Sequence, residues 1–576
     1  MRGAVTLQAW QRNPILSTPR LDAEYYLSWA RDIAAGDVLG RRGTIGGEPF
    51  LLNPLYAYII APIAGLFGAT PGPVLVFQVL LAAATAWLTA SAARRFAGDG
   101  AAWTAGVAVA FSAALTHLDG YVAVSGLAAF LVAGTCFACA PAQSEGERGH
   151  GPLAAGAWLG LSALARPVAL IAAPFVAWHF ARRDPRRARM VLLALAPLAV
   201  CAGSSFARNV AVSDEPVVFT AANGQNLFLG NNETARRQRA MFTDEFRFSP
   251  REMHEDAEFR VGFELRRRPS RSEVSNWYAA RALEELSAHP ADSLAWYAQK
   301  LRWFFSPQEP ASSADLDYDR GITPLLGLAF ASTWLIAALA AAGAAVRRDL
   351  LLGPGAIVAA HIVACTLAFP LSHYRSPAIP AMAVLAGCAA ASALGGLREG
   401  RGRPAAVVAL VAAAVAATGA LAPQPAYQRH ILLVNRAVAQ LYRGDLDGAE
   451  RDARGALEIE PSSFGAATVL VDVGKARGRP GDALPWARRL AQAQPWSPVY
   501  RADLANVEFD AGRRAEALAE MDRLVGDFPW SGLVRGRRGE LRCRADDVER
   551  AREDLRFAAA HGYEPLPWAR EKCGLP

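Results

Sequence analysis

Two carboxylates, Asp22 and Glu24, stand where an amphipathic stretch begins, in the run PRLDAEYYLSWARDIAAGD at residues 19–37. A carboxylate there can act as a general base, because it can take the proton of an acceptor hydroxyl while the oxygen of that hydroxyl attacks a substrate. Acidic residues at a helix start are also typical of caps that complement the helix dipole. The pattern leaves both roles open.

Two arginines interrupt or end apolar segments. Arg166 precedes Pro167 inside a long apolar run, and Arg375 follows His373 and Tyr374. A charge at such a depth is costly unless it has a partner or a function. An arginine fork matches two phosphate oxygens, so both residues are candidates for holding a lipid phosphate and stabilising it as a leaving group. The alternative is that both side chains reach out to the membrane interface.

Three further polar residues are candidates for an acceptor contact or a second acidic site. Asp119 lies in a turn beside His117, and it is either an acidic ligand or an ordinary turn residue. Asn226 and Asn231 belong to GQNLFLGNN, whose amides can bond sugar hydroxyls or shape tight turns. No metal-ligand spacing occurs, so no metal site or cofactor is indicated, although a divalent cation remains open.

The elements that must position these residues are membrane helices. A span needs about 20 mostly apolar residues, and the sequence predicts about ten spans although its mean hydropathy is only +0.14. The predicted spans are 71–93, 101–117, 120–140, two short ones within 153–181 that Arg166-Pro167 separates, 189–207, 322–346, 351–370, 376–396 and 404–422. We therefore predict an all-α polytopic membrane protein, with residues 55–68 as an interfacial or re-entrant helix.

Arginine clusters set the expected topology. They occupy alternate connections, at Arg94/Arg95, Arg148, 182–189, Arg347/Arg348 and 398–403. The positive-inside rule places that face in the cytoplasm. Outer loops are then 1–70 and 208–320, and the chain after 422 lies outside a bacterial-type inner membrane, on the periplasmic side. No span precedes residue 1 to export the amino terminus, so we expect a first helix to be missing from the start.

The tail, residues 426–576, is internally repetitive. The repeated positions are Gly444, Gly478 and Gly512; Ala449, Ala483, Ala517 and Ala551; and Pro461, Pro495 and Pro529. Their common spacing, about 34 residues, is that of the tetratricopeptide repeat and predicts an α-solenoid of three units plus a degenerate fourth, about 533–561. Such a surface binds a protein partner or serves as a spacer. The arginine excess falls between apolar segments, so no nucleic acid partner is expected.

Residues 1–425 resemble the GT-C glycosyltransferases, in particular the protein O-mannosyltransferases and lipid A aminoarabinose transferases. The matching pieces occur in order along most of this region: LDAEYY with Asn-Pro-Leu-Tyr, GLSALARPVAL, FARNVAVSDEPVVFTAANGQNLFLGNN, WYAQKLRWFFSPQEP and HYRSPAIP. The resemblance implies a hexosyl- or pentosyltransferase that uses a polyprenyl-phosphate sugar beside membrane lipid. It makes Asp22 the base and Glu24 its substitute. The chain departs from the pattern at Ala23, which separates the acidic pair, and at Leu52-Asn53-Pro54, which lacks a lysine.

Two rival functions differ in class. A non-catalytic scaffold would use the helices only to anchor the repeats, which would gather envelope proteins, and a transporter would place ionisable residues deep in its helices.

Cys543 and Cys573 lie outside the apolar spans. In an exported tail we expect them to form a disulfide that closes the terminal repeat, with two free thiols as the alternative.

Overall fold

The computed structural model describes residues 1–17, 22–41, 52–142, 151–213, 215–238, 245–247, 250–310, 315–422 and 428–575. Within these ranges the regular elements are helices, and the only β pairing is an isolated bridge between Ser112 and Ala331. The chain is an all-α membrane protein with a carboxyl-terminal α-solenoid, as the sequence predicts.

The described residues of the amino-terminal part form ten helices. They are α1 (Arg2–Arg12), α2 (Pro14–Ser17), α3 (Asp22–Ala34), α4 (Leu55–Phe67), α5 (Pro71–Ala110), α6 (Ala113–Leu118), α7 (Ser125–Cys139), α8 (Gly151–Ala165), α9 (Ala169–Ala181) and α10 (Arg187–Val212). The helix predicted at 55–68 is α4. Arg166-Pro167 separates α8 from α9, because the proline ring disfavours helical geometry in the residue before it.

A group of shorter helices follows and leads back into apolar ones. The first set is α11 (Asn223–Gly230), α12 (Glu233–Gln238), α13 (Pro250–Leu265), α14 (Arg271–Ala288), α15 (Pro290–Phe304) and α16 (Leu316–Ile322). The second set is α17 (Thr333–Val346), α18 (Pro354–Leu367), α19 (Ser372–Arg375), α20 (Ile379–Arg398) and α21 (Arg403–Ala420).

Each predicted span falls on an apolar helical segment, but few segments are long. Among the described residues, four helical stretches are long and apolar enough to cross a membrane: Pro71–Ala110, Arg187–Val212, Ser372–Arg398 and Arg403–Ala420. The first contains two predicted spans, which non-helical backbone at Ala97 and Gly98 separates. The other predicted spans are apolar helices of 13 to 15 residues.

Two predicted spans have different limits in the structure. The one predicted at 101–117 breaks after Ala110, and the one predicted at 322–346 starts only at Thr333. The reason is a backbone exchange: Ala113 N donates to Ala331 O (3.0 Å), and Ala331 N donates to Phe111 O (3.0 Å). These bonds replace the helical ones that both segments would otherwise make.

Glycine allows the apolar helices to approach closely. A Cβ atom at Gly156 of α8 would overlap the carbonyl oxygen of Ala194 on α10, and one at Gly343 of α17 would overlap that of Leu385 on α20. Small residues at crossings are typical of helix packing in membranes, where backbone contact replaces the hydrophobic drive.

Three of the arginine-rich connections contact one another. Arg347 Nη1 donates to Phe96 O (3.3 Å), and Arg182 Nη2 donates to Asp349 O (2.8 Å). These contacts join three of the predicted clusters. Arg148 lies outside the described residues.

The described part of the repeat array forms four helical pairs and a final short helix. The pairs are α22 (Gln428–Tyr442) with α23 (Leu446–Ile459), α24 (Phe464–Ala476) with α25 (Pro480–Ala493), α26 (Pro498–Asp510) with α27 (Arg514–Asp527), and α28 (Gly532–Arg544) with α29 (Val548–Ala560), followed by α30 (Pro567–Lys572). The alanines of the repeat pattern are fully buried in every unit. The predicted boundary between residues 425 and 426 lies outside the described residues.

The fourth unit is a complete pair, although its sequence pattern is degenerate. The structure joins Cys543 on α28 to Cys573 after α30, with their Cα atoms 6.7 Å apart. Both cysteines are buried in a small cluster with Leu555 and Ala569, so α30 covers the end of the array.

Candidate functional site

Asp22 begins α3 and is half-buried. The helix is fixed by its aromatic face, which packs on α4: the rings of Tyr26 and Tyr56 meet edge to face at 4.9 Å, and Trp29 is fully buried. Burial raises the pKa of Asp22, and the positive charge of Arg166 opposes that rise. A carboxylate with a raised pKa is a stronger base near neutral pH.

Arg166 lies at the break between α8 and α9. Its Nη2 donates to Ser125 Oγ (3.4 Å), and its guanidinium lies 4.6 Å from the ring centre of Tyr374. Its Nε is buried and has no hydrogen-bond partner among the described residues. A buried donor without a partner is costly in free energy, so this guanidinium has capacity for a further acceptor.

The structure thus brings Asp22 and Arg166 to one site and lines it with tyrosines. The charges of both residues act on Tyr26 of α3 and on Tyr374 of α19. The arrangement combines a proton acceptor, a cation and two tyrosines that both charges affect. It can hold an anion at the arginine while the carboxylate takes a proton.

Glu24 lies on the first turn of α3 with Asp22 and is also half-buried. Residues two positions apart do not share a helix face. The two carboxylates therefore have different surroundings, and the charge of Arg166 acts on Asp22.

Arg375 has a different environment from the one expected for a phosphate ligand. It is fully buried, and its Nη1 donates to the carbonyl oxygens of Trp303, Phe304 and Ser306 at 3.0 to 3.2 Å. Its Nη2 donates to Gln308 O (3.0 Å) and pairs with Glu309 Oε2 (2.6 Å). Both terminal nitrogens are engaged in joining α15 to α19, which leaves them no face for a phosphate.

Asp119 has its own arginine partner, on α1. Its Oδ2 pairs with Arg2 Nη1 at 2.6 Å, and it is nearly inaccessible. Burial raises the pKa of Asp119, while Arg2 lowers it by charge and by hydrogen bond. The neighbouring His117 bonds Asp319 (2.7 Å). Asp119 therefore holds α1 against the end of α6.

The two asparagines of the GQNLFLGNN run also differ in role. Asn231 is buried, its Nδ2 donates to Leu367 O (2.7 Å), and its Oδ1 accepts from Lys300 Nζ (3.0 Å). It is a structural connection between α11, α15 and α18. Asn226 is half-buried on α11, and the structure does not bring it to Asp22 or Arg166.

Sequence reasoning missed three residues that shape this region. Lys300 is fully buried and donates to Gly230 O and Ala368 O, while burial lowers its pKa to about 6. Arg208 stacks on Trp29 at 5.2 Å and donates to Leu39 O (3.0 Å). Ser125 contacts Arg166 from α7. Lys300 could have been noticed in the sequence, because it is one of only three lysines there and lies inside WYAQKLRWFFSPQEP.

Metal ligands are not gathered anywhere in the described ranges: no three His, Cys, Asp or Glu residues lie close enough to hold an ion.

Comparison with known proteins gives structural likenesses without a family. No family model matches the sequence, and no curated protein matches it. ArnT from Cupriavidus metallidurans bound to undecaprenyl phosphate is 19% identical, with 85% of this chain and 80% of that chain covered and a TM-score of 0.37. The oligosaccharyltransferase AglB from Archaeoglobus fulgidus, in complex with an inhibitory peptide and a dolichol-phosphate, is 14% identical, with 77% and 58% covered and a TM-score of 0.31. MamA MSR-1 C2 is 17% identical, with 29% and 91% covered and a TM-score of 0.21.

Proposed function

We propose that the chain is a glycosyltransferase that moves a hexosyl or pentosyl unit from a polyprenyl-phosphate donor to an envelope acceptor, a lipid, glycan or protein. The observation that carries the proposal is that the charge of Arg166 acts on the carboxylate of Asp22 beside the membrane helices. A lipid-linked phosphate needs a cation near the bilayer, and Arg166 has a buried donor there that lacks a partner among the described residues.

In this proposal Asp22 removes the proton from the acceptor hydroxyl while the oxygen of that hydroxyl attacks the anomeric carbon of the donor sugar. The bond from that carbon to the phosphate oxygen breaks, and the polyprenyl phosphate leaves with the electron pair. Arg166 stabilises the charge that develops on the phosphate. Tyr26 and Tyr374 border the site and orient the reacting groups through their hydroxyls.

The proposed location is the outer face of a bacterial-type inner membrane, with the repeat array on the same side as Asp22. The support is geometric: three of the arginine-rich connections contact one another, through Arg347 with Phe96 and through Arg182 with Asp349. By the positive-inside rule the face that carries them is cytoplasmic. A divalent cation remains a candidate for the donor phosphate.

The test is transfer from a panel of labelled polyprenyl-phosphate sugars in proteoliposomes, comparing wild type with Asp22→Asn. We expect a loss of about 10²–10⁴-fold, which is typical for removal of a general base, with unchanged amounts of folded protein. Glu24→Gln serves as the matched control and should retain most activity. Transfer by Asp22→Asn within about threefold of wild type would remove Asp22 as the base. Inactivity of wild type with every donor would favour the anchored scaffold instead.

A further inference from the structure

Helix α13 belongs to the predicted outer loop 208–320, which we call the outer segment, and it lies between two hydrophobic cores. One face carries Ala257 and Val261, which are buried in a cluster with Tyr278 of α14. The other face carries Phe259 and Phe263, which pack into a cluster of the repeat array. In each pair the residues are four positions apart, so each pair lies on one helix face. The helix therefore contacts the array with a face that the outer segment leaves open.

The contact with the array is aromatic. Phe259 stacks on Trp530 with ring centres 5.6 Å apart and meets Phe528 edge to face at 5.5 Å. Phe263 approaches Phe528 at 5.8 Å. A Cβ atom at Gly262 would come within 2.7 Å of the Trp530 ring, so the helix backbone itself lies against the indole. Buried aromatic anchors of this kind carry most of the free energy of interfaces.

The receiving side is a repeated feature of the array. Pro495-Trp496-Ser497 and Pro529-Trp530-Ser531 occupy equivalent positions of successive repeats, and each serine caps the helix that follows. Both tryptophans contact α13: Trp530 meets Phe259, and Trp496 lies 5.7 Å from the guanidinium of Arg260. The first unit has Ser462 at the equivalent position. Trp496 and Trp530, at equivalent positions of successive repeats, therefore contact neighbouring residues of α13.

An ion pair closes the end of the contact. Arg266, just beyond α13, pairs with Asp527 at 2.8 Å, and Asp527 also pairs with Arg501 at 2.8 Å. Exposed pairs of this kind contribute little affinity, but they select the direction in which a helix docks. The ligand chemistry is thus a helix with aromatic residues at positions i and i+4 and arginine at i+1 and i+7.

We propose that Trp496, Phe528 and Trp530 form a helix-binding site of the repeat array and that its ligand is α13 of the same chain. The array is then occupied in cis, and it binds a separate helix of the same chemistry only when α13 leaves. Because a tether holds the cis ligand at an effective concentration on the order of millimolar, a free peptide competes poorly with it. The assignment does not rest on the proposed transferase activity.

The experiment uses the full chain in detergent and a fluorescein-labelled peptide of residues 250–268, followed by fluorescence anisotropy. The double variant Phe259→Ala/Phe263→Ala removes the two aromatic side chains with which α13 occupies the site. We expect it to bind the peptide at least about tenfold more tightly than wild type. Adding Trp530→Ala should reverse that gain, because the same indole receives the peptide.

Two controls isolate the site. A peptide with both phenylalanines changed to alanine should bind neither protein, and Leu283→Ala, at an exposed residue of α14, should behave as wild type. Hydrogen exchange of α26 and α28 shows whether the array stays folded in each variant. Equal binding by wild type and the double variant would overturn the proposal. So would a folded double variant that binds no peptide up to about 1 mM.

Discussion

Arginines in the repeat array and in the membrane half have opposite surroundings. In the array Arg538 and Arg542 share the carboxylate of Asp554, and both also reach Asp522. In the membrane half Arg166 has a serine hydroxyl and an aromatic ring beside it, and its buried Nε lacks a hydrogen-bond partner among the described residues. The side chains of Arg538 and Arg542 are only 12% and 14% exposed and that of Asp554 is 1% exposed, so in both regions a covered charge requires matched acceptors or a ligand.

Arg375 shows that burial alone does not identify function. It is more buried than Arg166, yet its two terminal nitrogens have five oxygen acceptors between them. The informative quantity is the number of acceptors at the terminal nitrogens, because Nε is buried without a partner in both arginines. By that measure Arg375 is part of the framework, whereas the terminal nitrogens of Arg166 have one hydroxyl acceptor, on Ser125.

The largest expected effect separates these two arginines. Arg375→Met leaves Glu309 buried without its cation, and breaking such a pair is expected to lower the free energy of unfolding by about 3–5 kcal/mol. Arg166→Met should leave stability within about 1 kcal/mol, because no carboxylate of the described residues is hydrogen-bonded to it, yet abolish transfer. Thermal unfolding in detergent and the transfer assay measure the two effects. A destabilised Arg166→Met with a stable Arg375→Met would reverse the assignment.

The next effect concerns cysteines, which the two regions also use differently. Cys136, Cys365 and Cys388 are buried free thiols in the membrane half, whereas Cys543 and Cys573 are joined in the array. Closing a loop of about 30 residues contributes about 3–4 kcal/mol, so Cys543→Ser should make the fourth unit more susceptible to proteolysis. Mass spectrometry of non-reduced protein from the envelope should find a linked pair of peptides. Free thiols on both residues would count against the bridge and against export.

A smaller effect is expected at the shared carboxylate of the array. Asp554→Asn removes one charge from Arg538 and Arg542, which keep Asp522, so we expect a loss of about 1–2 kcal/mol. Asp547→Asn is the matched control, because its pair with Arg550 is exposed at 3.8 Å. That control should change stability by less than about 1 kcal/mol. Urea unfolding of the full chain, followed by hydrogen exchange in α28 and α29, distinguishes them.

The smallest expected effect is a shift in pH dependence. The base must be deprotonated, so activity falls at low pH as Asp22 takes up a proton, and its raised pKa places this limb above the ordinary range for aspartate. Arg166 lowers that pKa. Arg166→Gln lacks the charge but keeps a hydrogen-bond donor, so whatever activity it retains should show its acidic limb at higher pH than that of wild type. An unmoved limb would mean that the two charges do not interact during turnover.

Much of the fold could be predicted from the sequence, because its signals are local. Apolar length indicated the positions of the helices, Arg166-Pro167 indicated the break, and the repeat period indicated the array. The limits at Ala110 and Thr333 could not be predicted, because they depend on backbone bonds between segments that are far apart in the sequence. The partner of Arg375, Glu309, is likewise distant along the chain and has no spacing that connects the two.

The site was only partly predictable for the same reason. Residue type and predicted depth made Asp22, Arg166 and Arg375 candidates, and the resemblance favoured Asp22 as the base. Nothing in the sequence distinguished the surroundings of Arg166 from those of Arg375. That distinction depends on the carbonyl groups at the end of α15, which are set by tertiary packing. The repeated Pro-Trp-Ser was visible in the sequence, whereas its contact with Phe259 was not.

The position of α13 between two cores has a consequence for synthesis. Phe259 is made long before Phe528, its partner in the array. At about 5–20 residues per second, the interval between them is roughly 15–55 s. During that interval the outer segment can complete its own core, but the aromatic face of α13 has no surface to cover it. The nascent chain therefore exposes the aromatic face of α13 until its last repeats emerge from the ribosome. A chain that stops before the array would carry that helix permanently and would be prone to aggregation.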